Sequence, residues 1–119
     1  MVAPGGPPLH IKAQATSSKS LKISWEPPRE DLHYGQIRGY YVGYKVAASE
    51  SEAFVYKTLE ADDRAASSNS VGGINVEETQ LSGLKRFTKY TIIVQAFNTK
   101  GAGPASEEIV AQTLQNGTY

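Results

Sequence analysis

The sequence predicts an all-β fold, a seven-stranded antiparallel sandwich built from two sheets. Apolar and polar residues alternate in short stretches along the 119-residue chain, and clusters of Gly, Pro, Asn and Ser separate these stretches. Alternation with a period of two is typical of a strand with one buried face. Seven such strands with turn residues between them, and no convincing helix, indicate a two-sheet sandwich.

The first half of the chain contains four of these strands, at residues 9–15, 20–25, 37–44 and 54–58. In the second strand, Leu21, Ile23 and Trp25 share one parity, and serine and lysine occupy the other. The Pro-Pro pair that follows ends this strand because proline cannot donate a hydrogen bond to a sheet ladder. In the third strand, Tyr40 and Val42 share the face predicted to be buried. The large apolar ring of Trp25 is expected to fill the space between the two sheets.

The second half contains the other three strands, at residues 74–81, 90–97 and 109–113. In the middle one, Tyr90, Ile92, Val94 and Ala96 share one parity, so this set is expected to face the core. Leu84, which closely follows the fifth strand, is predicted to join them there.

Residues 60–73, EADDRAASSNSVGG, are predicted to form a long surface loop because the stretch has little that could be buried. Two interpretations stay open. The segment is either a flexible loop of no function or a binding element around Asp62, Asp63 and Arg64, since loops of this length are uncommon in compact domains. A calcium or acid–base role for the two aspartates is disfavoured because flexible Ala/Ser surroundings do not hold carboxylates in place.

Composition argues against several classes of function. Twelve basic and twelve acidic residues give a net charge of zero, which argues against nucleic acid or an anionic membrane as the main partner. Cysteine is absent, so the chain has no disulfide framework and no thiolate metal site. His10 lies on the polar parity of a strand and His33 in a loop, so neither a metal site nor a cofactor is expected. No apolar run approaches the roughly 18 residues of a membrane span.

Residues 101–106, GAGPAS, follow a predicted strand and outline a phosphate-binding turn of the kind found in dinucleotide sites. Such a site needs a helix after the glycines. The apolar residues of the next segment fit helical spacing, but Ile109, Ala111 and Thr113 also fit the alternation of a strand. Only a strand would complete the sandwich. The stretch is therefore predicted to be a hairpin turn in which the glycines supply backbone freedom.

Together these patterns resemble the fibronectin type III module over about residues 7–114. The resemblance rests on four motifs, SLKISWEPP at 20–28, IxxYxVxY at 37–44, LKxxTxYxIxVxAxN at 84–98 and GxGPxS at 101–106. It implies an immunoglobulin-like sandwich in which the Tyr90 hydroxyl bonds the backbone of the preceding loop as a tyrosine corner. The chain departs from the family at Arg86, where proline is common, and in its long loop.

Within the family, the motifs are most similar to type III repeats of the Down syndrome cell adhesion molecule (Dscam) family, followed by contactins and sidekick-type receptors. Such repeats follow immunoglobulin domains in an ectodomain held by one membrane span and act in neuronal recognition. The resemblance implies a non-catalytic extracellular module with homophilic or heterophilic protein contacts, and linkers at residues 1–6 and 115–119. A spacer in an intracellular filament protein or a secreted multidomain enzyme is the alternative. An enzyme in its own right would need a pocket with convergent polar groups.

Two surface features are candidates for function. Tyr41 and Phe97 lie on the opposite parity from the core residues of their strands. They would form an exposed apolar patch, or an ordinary cross-strand pair, if those strands are neighbours. Asn116-Gly-Thr is an acceptor sequence for N-glycosylation. The turn at 98–104 lacks Arg-Gly-Asp and the chain lacks a Trp-Ser-x-Trp-Ser box, which removes two specific forms of ligand binding.

Overall fold

Nine strand segments make up most of the chain that the computed structural model describes, residues 3–29, 37–48, 53–60, 69–71 and 74–115. The strands are β1 (Leu9–Ser17), β2 (Ser20–Glu26), β3 (Gly39–Val46), β4 (Val55–Glu60), β5 (Asn69–Val71), β6 (Ile74–Leu81), β7 (Lys89–Asn98), β8 (Gly101–Ala102) and β9 (Ile109–Gln112). Every pairing between them is antiparallel.

The strands form two sheets of different width. One sheet has the order β1-β2-β6-β5, and the other has the order β4-β3-β7, with β8 and β9 both on the remaining edge of β7. Because β8 and β9 share that edge, the described strands occupy eight positions, one more than the seven predicted. The prediction of an all-β, two-sheet antiparallel sandwich is confirmed.

The additional strand, β5, corrects the prediction of one unbroken loop over residues 60–73. Asn69–Val71 pairs with the start of β6, and the innermost partners are Val71 and Ile74. The two residues between these partners are both glycine, a pair favoured in two-residue hairpin connections because both positions tolerate positive φ. This hairpin signal outweighs the small and polar composition of the stretch.

The core lies between the two sheets and is formed by the parities that the sequence indicates. Its buried members include Leu21, Ile23, Trp25, Tyr40, Val42, Leu84, Tyr90, Ile92, Val94 and Ala96. The Trp25 and Tyr40 rings meet edge-on, with centroids 5.3 Å apart and an interplanar angle of 65°, an arrangement that aromatic quadrupoles favour. These two rings therefore join β2 of one sheet to β3 of the other.

The connection between β6 and β7 is held by two side chains. The Tyr90 hydroxyl accepts a hydrogen bond of 2.8 Å from the Lys85 backbone N–H, as the tyrosine corner implies. The buried Thr113 hydroxyl donates to the Lys85 carbonyl at 2.7 Å and accepts from the Thr88 N–H at 2.9 Å. The corner thus forms although Arg86 stands where proline is common in the family.

The glycine-rich stretch after β7 is a hairpin turn, as predicted. Asn98 pairs with Gly101, whose φ of 139° favours glycine. Between β8 and β9, Ser106 takes the place of a regular strand residue. Its backbone N–H donates to the Val94 carbonyl at 2.8 Å, and its hydroxyl accepts from the Val94 N–H at 2.9 Å. The backbone N–H and carbonyl of Val94 on this edge of β7 therefore have hydrogen-bond partners between β8 and β9. The chain then continues as β9, which is a strand and not a helix.

The segment before β1 lies against this turn. Pro4, Gly6 and Pro8 are buried, and a Cβ placed on Gly103 would lie 2.5 Å from the Pro4 carbonyl oxygen. Only glycine allows this approach. Residues 3–6, which the sequence predicts to be a linker, are therefore in contact with the sandwich.

Candidate interaction surface

The outer face of the four-stranded sheet is polar and charged. A broad groove of about 680 Å³ begins on this face, where its polar lining is Lys12, Gln14, Lys22, Ser24 and Glu78. The rest of its lining is apolar, Ile11, Ala13, Ile109 and Val110, and extends to β9 of the other sheet. Lys22 Nζ lies 3.5 Å from Glu78 Oε2 across the β2–β6 pair, and both side chains are well exposed. Mixed charge of this kind is typical of a solvated surface, where an ion pair contributes little.

The outer face of the five-stranded sheet is aromatic and uncharged over its centre. An open groove of about 290 Å³ is lined by Tyr41, Tyr56, Thr58, Gln95 and Ala102. In the strand register, Glu60 and Lys45 mark the two ends of this region on β4 and β3. Between these two ends, the outward residues of β3, β4 and β7 in the register are all uncharged. The contrast with the other sheet singles out this face for contact with a partner.

Four rings form the aromatic face, which we define as Tyr41, Phe54, Tyr56 and Phe97. The sequence predicts that Tyr41 and Phe97 are in contact if their strands are neighbours, and β3 and β7 are neighbours. Their ring centroids lie 4.6 Å apart, and Tyr41 and Tyr56 lie 6.5 Å apart. Phe54 extends the cluster, with its centroid 6.3 Å from that of Tyr56. Tyr41 and Phe97 are half-buried, and Tyr56 is 49% exposed.

Two glycines of β3 allow the rings of Phe97 and Tyr56 to pack against the backbone of the sheet. Phe97 pairs with Gly39, and Tyr56 pairs with Gly43. A Cβ on Gly39 would lie 2.5 Å from the Phe97 ring, and one on Gly43 would lie 2.7 Å from the Tyr56 ring. Each ring covers the backbone of a glycine across the strand pair, a device that stabilises glycine within sheets.

This arrangement also buries Ile93, although it lies on the outer parity of β7. Only 8% of Ile93 is exposed, and its Cγ1 lies 3.1 Å from the Cβ position on Gly43, beneath Tyr56. Sequence reasoning missed Tyr56. The sequence feature that could have indicated its position is the outward-facing series Gly39, Tyr41 and Gly43. The two glycines leave space on β3 for aromatic rings from β4 and β7.

The edge strand β4 is protected against pairing with another strand. Lys57 pairs with Val42 and so has the inward parity, yet its Nζ donates to the Gln80 carbonyl of the opposite sheet at 2.9 Å. An inward-pointing lysine at an edge is a device that blocks sheet extension. Contact through the face is therefore favoured over contact through this edge.

The other candidate residues divide into two groups. Asp62, Asp63, Arg64, His33 and Asn116 lie outside the described residues. His10 is exposed in a bulged part of β1 with φ of 54°, and its Nδ1 lies 3.0 Å from Glu26 Oε2. Within the described ranges, no group of three or more acidic or histidine side chains could hold a metal ion. The same ranges contain no helix long and apolar enough to cross a membrane.

The two packed sheets, the Trp25 core and the tyrosine corner define an immunoglobulin-like β-sandwich domain. More narrowly, the chain belongs to the fibronectin type III domain family, whose model matches residues 6–112. The resemblance found in the sequence motifs is therefore confirmed.

The similarity extends to named relatives. The chain is 42% identical over 113 residues to the cell adhesion molecule Dscam2 of Drosophila melanogaster and 38% identical over 114 residues to the human cell adhesion molecule DSCAML1. These alignments cover 95% and 96% of the chain but only 5% of each relative. Among solved structures, the FN1–FN3 domains of chicken CNTN1 match with a TM-score of 0.73 and 26% identity, over 96% of this chain and 33% of that one.

Proposed function

We propose that this domain is a non-catalytic extracellular module of a cell-surface adhesion receptor, and that it contacts protein partners through the aromatic face. The uncharged, half-exposed cluster of Tyr41, Tyr56 and Phe97 carries this proposal. The names of the relatives, which are cell adhesion molecules, support the placement in a receptor.

The aromatic face has the properties of an interface centre. Tyrosine is enriched in the residues that dominate binding energy, and such residues are surrounded by contacts that exclude water. The rings here rest on Gly39 and Gly43, so binding would fix few additional torsions and cost little side-chain entropy. Thr58 and Gln95 border the groove and would hydrogen-bond a partner at its rim.

The domain would also orient its neighbours along the chain. Ala3 and Pro4 lie against the turn at 101–103, and Gly6 and Pro8 are buried, so this segment is not a free tether. Proline restricts φ to about −65°, which stiffens this segment further. In a receptor of tandem type III and immunoglobulin domains, such a junction would fix the direction in which the preceding domain leaves.

The test is a binding and cell-aggregation assay on the full receptor that carries this domain. Tyr41→Ser with Tyr56→Ser should weaken partner binding by about tenfold or more, since truncating a central tyrosine commonly costs upwards of 1 kcal/mol. Lys12→Ser with Lys22→Ser, on the opposite outer face, is the matched control and should change binding by less than about twofold. Unchanged aggregation in the tyrosine variant, at unchanged thermal stability, would remove the aromatic face from the proposal.

A further inference from the structure

A second surface lies at the end of the sandwich opposite the glycine turn. Lys19 lies in the β1–β2 turn, Lys85 and Arg86 lie in the β6–β7 connection, and Lys89 begins β7. All four are exposed. The two connections are joined by a hydrogen bond of 2.9 Å from the Leu84 N–H to the Lys19 carbonyl. We call these four cations, with Phe87 between them, the basic pole.

The cations of the basic pole lack acidic partners within the described part of the chain. The ion pairs found there, His10–Glu26 and Lys22–Glu78, lie on other elements. Glu50 and Glu52, in the connection between β3 and β4, lie outside the described residues. Among the described residues, cations without acidic partners therefore gather at this end of the sandwich, and such a cluster attracts a polyanion even when the net charge of the chain is zero.

Phe87 is the second feature that points to a ligand. It is 55% exposed and has a φ of 49°, a left-handed conformation that is exceptional for a bulky side chain. Its N–H donates to the Leu114 carbonyl at 3.2 Å, and the next N–H, of Thr88, donates to the Thr113 hydroxyl. Surrounding bonds thus hold an apolar ring outward in a strained conformation, and such strain is concentrated at functional positions.

The cations of the basic pole are distributed over both sheets. Lys89 lies on the outer face of the five-stranded sheet, two residues before Thr91. Lys45, which pairs with Thr91, is not part of the pole, because its Nζ lies 5.1 Å from the centroid of the Phe54 ring in the aromatic face. Lys19, by contrast, belongs to the connection between two strands of the other sheet. A flat bilayer would meet only part of this curved track, whereas a linear polymer can follow it.

From this arrangement we infer that the basic pole binds a linear sulfated polysaccharide. Lysine ammonium groups and the Arg86 guanidinium would meet successive sulfates as charge-assisted hydrogen bonds. The exposed Phe87 ring would pack against the apolar face of a sugar. The choice of a polysaccharide over nucleic acid rests on the extracellular position in the proposed function, but the surface itself is separate from the aromatic face.

The experiment measures the Kd of the purified 119-residue chain for a heparin octasaccharide at several salt concentrations. Lys85→Gln, Arg86→Gln and Lys89→Gln combined should weaken binding by about tenfold or more and flatten the dependence of log Kd on log salt. Phe87→Ser should weaken binding without changing that slope, because its contact is not ionic. The control, Lys12→Gln, Lys22→Gln and Lys100→Gln combined, removes the same charge elsewhere and should stay within about twofold of the wild type.

Three results would overturn the inference. These are no heparin binding by the wild-type chain, equal losses in the two triple variants, and equal affinity for unsulfated hyaluronan. Binding to phosphatidylserine vesicles without binding to heparin would instead identify an anionic bilayer as the occupant. The Tyr41/Tyr56 variant should retain heparin binding, so failure here and failure of the aromatic-face proposal can be distinguished.

Discussion

Two buried aromatic residues, Tyr90 and Trp25, contribute to stability in different ways. The Tyr90 hydroxyl has a backbone partner, whereas Trp25 Nε1 is buried without a hydrogen-bond partner in the described structure. An unpaired buried donor costs about 1–3 kcal/mol. Burial of a whole aromatic side chain, 150–250 Å² at about 25 cal/mol per Å², contributes about 4–6 kcal/mol. At Trp25, the stabilisation from apolar burial therefore outweighs the cost of the unpaired donor. At Tyr90, apolar burial and the hydroxyl hydrogen bond both stabilise the fold.

The Tyr90 hydrogen bond can be isolated by removing one atom. Tyr90→Phe should lower the free energy of unfolding by about 1 kcal/mol, because the ring still fills its site while the Lys85 N–H loses its acceptor. Urea denaturation measures the change. Tyr41→Phe is the control, since the Tyr41 hydroxyl makes no hydrogen bond to the described residues, and it should leave stability unchanged. Equal midpoints for the two variants would contradict this account.

At the scale of elements, the interrupted edge formed by β8 and β9 depends on one side chain. Ser106 is buried and satisfies both the N–H and the carbonyl of Val94, a residue with no exposed surface. A regular strand would satisfy such groups with its backbone alone. The serine hydroxyl thus allows the chain to leave the ladder after β8 and rejoin it at β9 without an unpaired amide in the core.

Ser106→Ala should therefore cost about 1–3 kcal/mol, the penalty for a buried N–H without a partner. Thermal or urea unfolding gives the change in stability, and amide hydrogen exchange should show faster exchange at Val94. Ser24→Ala, on the outer face of β2, is the control and should stay within about 0.5 kcal/mol. A stable variant with full protection at Val94 would show that another group replaces the hydroxyl.

Elements with their own alternating pattern could be predicted from the sequence, and elements defined by pairing could not. The bounds predicted for β6, 74–81, agree with the structure because its pattern and flanking turns are local. β5 has only three residues and exists through its hairpin with β6. The contact between Tyr41 and Phe97 could be predicted because it requires only that their two strands be neighbours. The Tyr56 position over Gly43 depends on the β3–β4 register, which short alternating patterns leave open.

At the scale of the whole molecule, the three surface features occupy separate parts of one rigid core. The aromatic face covers the middle of the five-stranded sheet, the basic pole lies at one end, and the N-terminal segment meets the turn at 101–103 at the other end. The basic pole shares no residue with the other two features, whereas Ala102 belongs to the turn at 101–103 and also lines the groove of the aromatic face. Substitutions in the basic pole are therefore expected to be nearly additive with substitutions in the aromatic face, so polyanion binding and partner binding can be tested one at a time.

Attachment of the N-terminal segment depends on the missing side chain of Gly103. In Gly103→Ala, the new Cβ would meet the backbone of Pro4 at 2.5–3.1 Å, and backbone atoms cannot rotate away. The segment should detach from the turn, and the overpacked site should cost about 1–3 kcal/mol of stability. The backbone order parameters of Ala3, Gly5 and Gly6, which have the N–H groups that the prolines lack, should fall below about 0.6.

The control for this variant is Ala102→Ser, which changes an exposed residue of the same turn and should leave those order parameters near about 0.85. Rigid N-terminal amides in Gly103→Ala would mean that contacts other than Pro4–Gly103 hold the segment. Detachment without a loss of stability would mean that the contact orients the segment but does not stabilise the sandwich. Only the combination of mobile amides and lower stability fits a segment that folds as part of the domain and transmits its orientation to whatever precedes it.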